Sequence, residues 1–121
     1  MGNKPSPNTF YSKVAGVTAK NTDGRSRQKN IRAFCKPGKA LILKREPKNP
    51  YDANAVGVWV MARVLVFITA EMQIGYLNKD VAREVAPHMD AGGKVTAKIS
   101  EVTGGTQGKS TLGVNIALTV T

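Results

Sequence analysis

The chain has 121 residues, of which 18 are Lys or Arg and 8 Asp or Glu, giving a formal net charge of +10 with a single Cys and a single His. That length suits one domain able to bury its own core, and the lone Cys35 excludes an internal disulfide and a Cys-built metal site, so a cytoplasmic setting is expected, nucleoid-associated in a bacterium. The charge excess is one-sided: residues 1–60 hold 12 basic and 3 acidic side chains (+9), residues 61–121 hold 6 and 5 (+1), the footprint of a polyanion-binding face, although charge alone would also serve an anionic membrane or an acidic protein partner.

In chain order, Met1 to Pro7 has no apolar core behind Lys4, so it is neither a signal nor a transit peptide, and residues 1–8 are expected to form a disordered leader. Thr9 to Thr18 alternates as a strand with Phe10, Val14 and Val17 turned inward. Asn21-Thr22-Asp23-Gly24 reads as a turn. Ser26 then caps a short helix over Arg27 to Phe34, with Ile31 and Phe34 inward, and Lys36-Pro37-Gly38 stops it. Lys39 to Lys44 is a short strand.

Ala55 to Val60 and Val64 to Thr69 are rich in β-branched residues and predict a hairpin, with Gln73 to Leu77 as one more strand. Trp59 and Phe67 fall on these strands and are assigned to the core. Asn78 caps the clearest helix, whose apolar stripe is Val81, Ala82, Val85 and Ala86; Pro87 predicts a break, followed by a further turn ending at Gly92-Gly93. Lys94 to Val102 and Leu112 to Val120 alternate as closing strands around a Gly-rich loop. The longest apolar run, Val56 to Ile68, is interrupted by Gly57 and Arg63 and falls far short of the ~20 residues of a membrane span. The whole reads as mainly β: a small, partly open barrel of about six strands with two short helical insertions, a single domain over 9–121.

The most informative segment is Lys44 to Val56. Pro47 and Pro50 bias Glu46 and Asn49 away from helix, so the chain must leave one strand in a stiff loop and re-enter another at Val56. That loop carries an aromatic ring (Tyr51), a carboxylate (Asp52), two amides (Asn49, Asn54) and a basic surround (Lys44, Arg45, Lys48), a kit suited to holding a nucleotide. The bland alternatives are that Tyr51 packs over the barrel mouth and that Asn49, Asp52 and Asn54 bond their own backbone as turn formers.

The sequence resembles the HIRAN domain, in its free-standing bacterial or phage type. Four blocks match in order: Lys13-Val14-Ala15-Gly16-Val17, the Arg45-to-Val56 block REPKNPYDANAV, Ile74-Gly75-Tyr76-Leu77-Asn78-Lys79, and Leu112-Gly113-Val114. The resemblance implies an OB-like barrel that captures the 3′ end of single-stranded DNA, and in its terms Tyr51 stacks on the terminal base, Asp52 receives the 3′-hydroxyl, Asn49 contacts the last nucleotides and Lys79 a phosphate, with Lys48 in the basic surround. The family's second aromatic pair and arginine lie before the Lys39-to-Lys44 strand; here that segment reads Arg25-Ser26-Arg27-Gln28, so Arg25 or Arg27 takes the phosphate and Tyr76 stands in for a ring. Weaker binding than in translocase-borne relatives, or a different nucleic acid such as RNA, is the expected consequence.

Thr103 to Ser110 imitates a phosphate-binding P-loop, but its first glycine is replaced by Thr103 and a strand, not a helix, follows. His88 is the single histidine and has no Cys near it in sequence, so a metal or general-base role is not expected of it. No metal, no cofactor and no catalysis are expected. The functional expectation is a monomeric, non-catalytic module accessory to DNA repair, replication or fork processing, with a helicase or translocase as partner; the alternative is a protein-interaction adaptor with a basic face and a vestigial nucleotide pocket.

Overall fold

The computed structural model describes residues 8–121; of the leader expected over 1–8, all but Asn8 lies outside them. Six strands close a barrel in the order β1-β4-β3-β2-β5-β6, all neighbours antiparallel. They are β1 (Thr9–Ala15), β2 (Ala40–Arg45), β3 (Val56–Leu65), β4 (Ile68–Leu77), β5 (Val95–Thr103) and β6 (Gly113–Val120), with helix α1 (Arg27–Phe34) between β1 and β2 and α2 (Lys79–Asp90) between β4 and β5. The inward-facing set is mostly β-branched or small, with Leu118 the exception in this group: Val56, Val58, Val60 and Ala62 of β3, Ile99 of β5 and Val114, Ile116 and Leu118 of β6 are all buried. Ile31 of α1 joins them with no exposed surface, which is where the helical spacing predicted an inward residue.

The six-stranded barrel with two short helices is as expected, and it is closed, though by a narrow seam. β1 meets β4 only through Val14–Leu77 and Ala15–Tyr76, and α1 packs against β4 beyond it. The seam requires Gly75, because a Cβ there would lie 2.4 Å from the Ala15 carbonyl oxygen and 2.6 Å from Val14 Cγ1. Next to it Ile74 is an extra residue on β4, since Val58 pairs with Gly75 and Trp59 with Gln73. The bulge leaves the Gln73 carbonyl to accept from the side-chain amides of Asn21 (3.1 Å) and Asn30 (2.9 Å).

Two expectations fail between residues 55 and 69. The strands there are not a short pair with a turn near 61–63: β3 and β4 are each ten residues long, and the chain reverses at Val66-Phe67. Among the described residues no non-glycine residue has positive φ, so the reversal avoids the left-handed turn that Asn-Gly would mark; an extra residue, Val64, between the Arg63–Thr69 and Leu65–Ile68 pairs accommodates it. Consequently residues 63–69 are all exposed, and Phe67 is not core but 96 % exposed. Trp59 also stays out of the core, half-buried on the outer face with Lys44 Nζ 4.1 Å from its ring centroid.

Pro87 does not break α2 either; the helix runs through it to Asp90, capped by Ala91. Pro87 and Arg83, four residues apart, both lie on the exposed face, where a carbonyl deprived of its helical donor is open to solvation rather than buried. Ala82, Val85 and Ala86 are buried as the stripe predicted, with Val81 partly so. Apart from Thr103, which ends β5, the Thr103-to-Ser110 segment lies in the β5–β6 connection, a tight loop with a Thr106–Lys109 bridge. Burial pushes the Cys35 thiol up to about 11, so it is a packing residue rather than a nucleophile. No helix is long and apolar enough to cross a membrane among the described residues.

The Gly75→Ala chain should lose about 1–3 kcal/mol of unfolding free energy through overpacking of the seam, read as a lowered urea midpoint with an unchanged slope.

Candidate nucleic-acid interface

The Pro-stiffened loop is fastened at its base and along its length. The Glu46 N–H donates to the Ala55 carbonyl (2.9 Å), the Asn49 N–H to the Glu46 carbonyl (3.0 Å) and the Ala55 N–H to the Asp52 carbonyl (3.0 Å). Inside the loop, Asn49 Oδ1 accepts the backbone N–H groups of Tyr51 (2.9 Å) and Asp52 (3.2 Å), and Asp52 Oδ1 accepts that of Asn54 (2.9 Å). Both are Asx turns, as the bland alternative held for Asn49 and Asp52, whereas the Asn54 side chain makes no such bond among the described residues and Tyr51 does not pack over the barrel. Asn49 also donates through its amide to Glu46 Oε1 (3.0 Å), so its side chain shapes the loop. Among the described residues Asp52 Oδ2 has no hydrogen-bond partner, and the Tyr51 ring is 93 % exposed.

Two residues hold this loop to the barrel: Glu46, for which the sequence suggested no site role, and Arg45, which it placed only in the basic surround. Glu46 Oε1 also accepts the Tyr76 hydroxyl at 2.9 Å, tying the loop to the end of β4. Gly57 makes the room: a Cβ there would meet Trp59 Nε1 at 2.9 Å and Glu46 Oε2 at 3.0 Å. Arg45 donates to the Ala55 carbonyl (2.8 Å) and the Ala53 carbonyl (3.0 Å), and forks onto Asp90 at the end of α2 with contacts of 2.9 and 3.0 Å. The Asp90 partner lies 45 residues away in sequence, so no local pattern signalled it.

Facing the loop across a concavity of about 1010 Å³ are Arg27, Tyr76, Lys79 and the chain leaving β1. Of the site residues expected from sequence, Asn49, Lys48, Tyr51, Asp52, Arg27, Tyr76 and Lys79 all line this space. Arg25 does not: it pairs with Asp23 (3.7 Å) and donates to Met72 Sδ (3.1 Å), on the other side of the Ser26 cap. Arg25 and Arg27 cannot share a target because the helix starts between them.

Arg27 is the unusual member. It is 8 % exposed, with Nε donating to Asn21 Oδ1 (2.7 Å), one terminal nitrogen to the Gly16 carbonyl (2.8 Å), and its guanidinium carbon 5.2 Å from the Tyr76 ring centroid. All its partners are neutral, and among the described residues it has no carboxylate within ion-pair distance. A buried cation held only by neutral acceptors retains its demand for an anion. The sequence signal that would have marked Asn21 as its holder was masked by the turn in which Asn21 sits. Among the described residues no group of His, Cys, Asp and Glu could hold a metal ion.

A family model described as HIRAN domain matches residues 8–120. No curated protein sequence matches the chain. Among solved structures, it is similar to the crystal structure of the HIRAN domain of human HLTF, with 19% identity, 93% of this chain and 74% of that one covered, and a TM-score of 0.62. It is similar also to a protein from Lactobacillus plantarum, with 20% identity, 92% and 98% covered, and a TM-score of 0.60. At such identities the two structures speak for the fold.

The Arg45 hydrogen bonds hold the Asp90 carboxyl below the usual carboxylate range. A depressed folded value means that the pair stabilises fully above the ordinary unfolded value near ~4 and loses its contribution as pH falls through the lowered one. An NMR titration should therefore show Asp90 ionising below ordinary aspartate in the wild type and at the ordinary value in Arg45→Met, with faster amide exchange at residues 53–55 in the variant; an unchanged titration would remove Arg45 as the clip.

Proposed function

The chain belongs to the HIRAN domain family, and on that footing we propose that it is a non-catalytic module that captures the 3′ end of single-stranded DNA, accessory to DNA repair, replication or fork processing. HIRAN domains are DNA-binding modules; the finer reading rests on the concavity. The observation that carries it is Arg27, a buried guanidinium on the wall of the site without a carboxylate, beside which a phosphate supplies the missing charge. Lys48 and Lys79 line the same space and add to the attraction.

Tyr51 supplies the sequence-independent part. An exposed ring on a fastened loop loses little freedom on stacking, and stacking on one aromatic contributes about 1–3 kcal/mol for any base. Asp52 supplies the selectivity. A carboxylate repels a phosphate but accepts from a hydroxyl, so beside Tyr51 it favours a strand that ends in a free 3′-OH over one that continues or ends in phosphate. Asn49 acts by setting the two backbone N–H groups under Tyr51 and Asp52.

A second reading, the protein-interaction adaptor, has an observation of its own: the exposed apolar run Val64 to Ile68 at the β3–β4 turn, a surface of the kind that marks protein contacts. The two readings separate by variant. Labelled DNA with a 3′-hydroxyl should bind the wild type well above the same strand with a 3′-phosphate; Asp52→Asn, which keeps the turn-forming oxygen, should erase the preference, and Tyr51→Ala should weaken binding by about 1–3 kcal/mol, roughly 5- to 150-fold. Equal binding of both strands by the wild type, with Phe67→Ser abolishing capture of a partner protein, would favour the adaptor.

A further inference from the structure

From residue 24 to residue 45 the chain carries eight basic side chains and no Asp or Glu. Four of the eight are already engaged. Arg25, Lys44 and Arg45 pair with Asp23, Glu71 and Asp90, and Lys39 Nζ donates to the Phe34 carbonyl at 3.1 Å. The remaining four, Arg27, Lys29, Arg32 and Lys36, all lie on α1 or just past its end. Among the described residues none of them forms an ion pair. Arg27 faces the concavity, whereas Lys29 and Arg32, three residues apart and so on one helix face, are exposed, as is Lys36.

Although Arg32 in its last turn is favourably placed, the helix is also charged against its own dipole at its start. Its first turn holds no acidic residue, the position where a carboxylate would ordinarily favour the positive end, and Arg27 places a cation there instead. Repulsion of this kind is relieved by an anion supplied from outside, and the helix begins at the wall of the proposed DNA site.

We propose that the outer face of α1 is a second nucleic-acid contact, a phosphate rail on which Lys29, Arg32 and then Lys36 hold the backbone of the strand whose terminal nucleotide sits between Tyr51 and Arg27. The inference rests on the end-capture reading above and extends it by giving the strand a direction: away from the loop, past Arg27, and along α1 toward the start of β2. Eight helical residues span ~12 Å, room for about three to four stacked nucleotides at ~3.4 Å each. The rail contacts phosphates alone, so it adds affinity and salt dependence without sequence preference.

The test is fluorescence anisotropy with oligothymidylates of three and ten nucleotides, each with a 3′-hydroxyl, over a range of NaCl concentrations. The wild type should bind the ten-mer more tightly and with the steeper salt dependence. Lys29→Gln combined with Arg32→Gln, both exposed and checked for intact folding by circular dichroism, should leave three-mer binding in place. The same variant should lose the gain with length and flatten the ten-mer's logarithmic salt slope by about 1.4, at ~0.7 per phosphate contact. Lys94→Gln with Lys98→Gln, an equal loss of charge on and beside β5, should change neither.

A ten-mer that binds the α1 variant as tightly as the wild type overturns the rail, and so does an equal loss in the β5 variant, which would reduce the effect to net charge. The end-capture reading fails separately, if a 3′-phosphate and a 3′-hydroxyl bind alike while the length gain still depends on Lys29 and Arg32.

Discussion

Arg27 is held by an amide oxygen, a backbone carbonyl and the face of a tyrosine, and much of the surrounding chain is arranged to make that placement tolerable. The carbonyl belongs to Gly16, whose φ of +71° ends β1 and whose missing Cβ gives the guanidinium its approach; a methyl there would lie 3.0 Å from the terminal nitrogen. The amide belongs to Asn21, whose other end reaches the Gln73 carbonyl left free by the bulge in β4. Gln28, one residue on, fixes the helix by donating to the carbonyls of Val17 and Leu112 and accepting the Leu112 N–H. The end of β1, the turn, the first turn of α1 and the end of β4 thus meet around one cation. Neutral dipoles can satisfy its hydrogen-bond donors but cannot cancel its charge, and this difference between donor satisfaction and charge compensation separates a structural arginine from one disposed to take an anion.

The opposite wall is built on another principle. The Glu46-to-Ala55 loop satisfies most of its polar groups internally, so it is stiff without being buried, and its ring and carboxylate are offered to solvent in a fixed relation. A loop that needed to fold around its ligand would give up ordering entropy in each encounter; one closed by its own Asx turns and clipped by Arg45 has already met that cost during folding. The site therefore joins a wall whose charge is unsatisfied to one whose geometry is settled.

Much of this was legible in the sequence, for local reasons. The cap at Ser26 and the stop after Phe34 bound α1 correctly because capping and helix termination act over three or four residues. The Pro-Asn-Asp pattern of residues 46–55 foretold a stiff loop because proline and Asx chemistry act at the same range. What stayed hidden depended on distant partners or on which face met water. The Arg45–Asp90 fork joins β2 to α2, and nothing near either residue announces it. Pro87 fits inside α2 because the helix turns that side outward, which composition does not reveal. The run Val64 to Ile68 read as buried strand because apolar β-branched residues usually are, yet β3 and β4 continue past the end of the barrel. Arg25 and Arg27 fall on either side of a helix start that the Ser26 cap made legible, but which of them faces the loop depends on how α1 packs against β4, which the sequence does not reveal.

That overrun of β3 and β4 bears on how the protein behaves as a colloid. Beyond Val60 the outer edge of β3 has no β2 partner among the described residues, and residues 63–69 stand in solvent with Arg63 as their only charge. An exposed ribbon of Leu, Val, Phe and Ile with open backbone groups is a template for strand addition by a neighbouring molecule. Two features counter it: the net charge of +10, which keeps molecules apart at low ionic strength, and the guanidinium of Arg63, which acts as a gatekeeper on the ribbon. Salt, or a polyanion that neutralises the basic face, weakens the first of these, so the tendency of the ribbon to add strands rises with charge screening even though it lies outside the concavity lined by Arg27 and Tyr51.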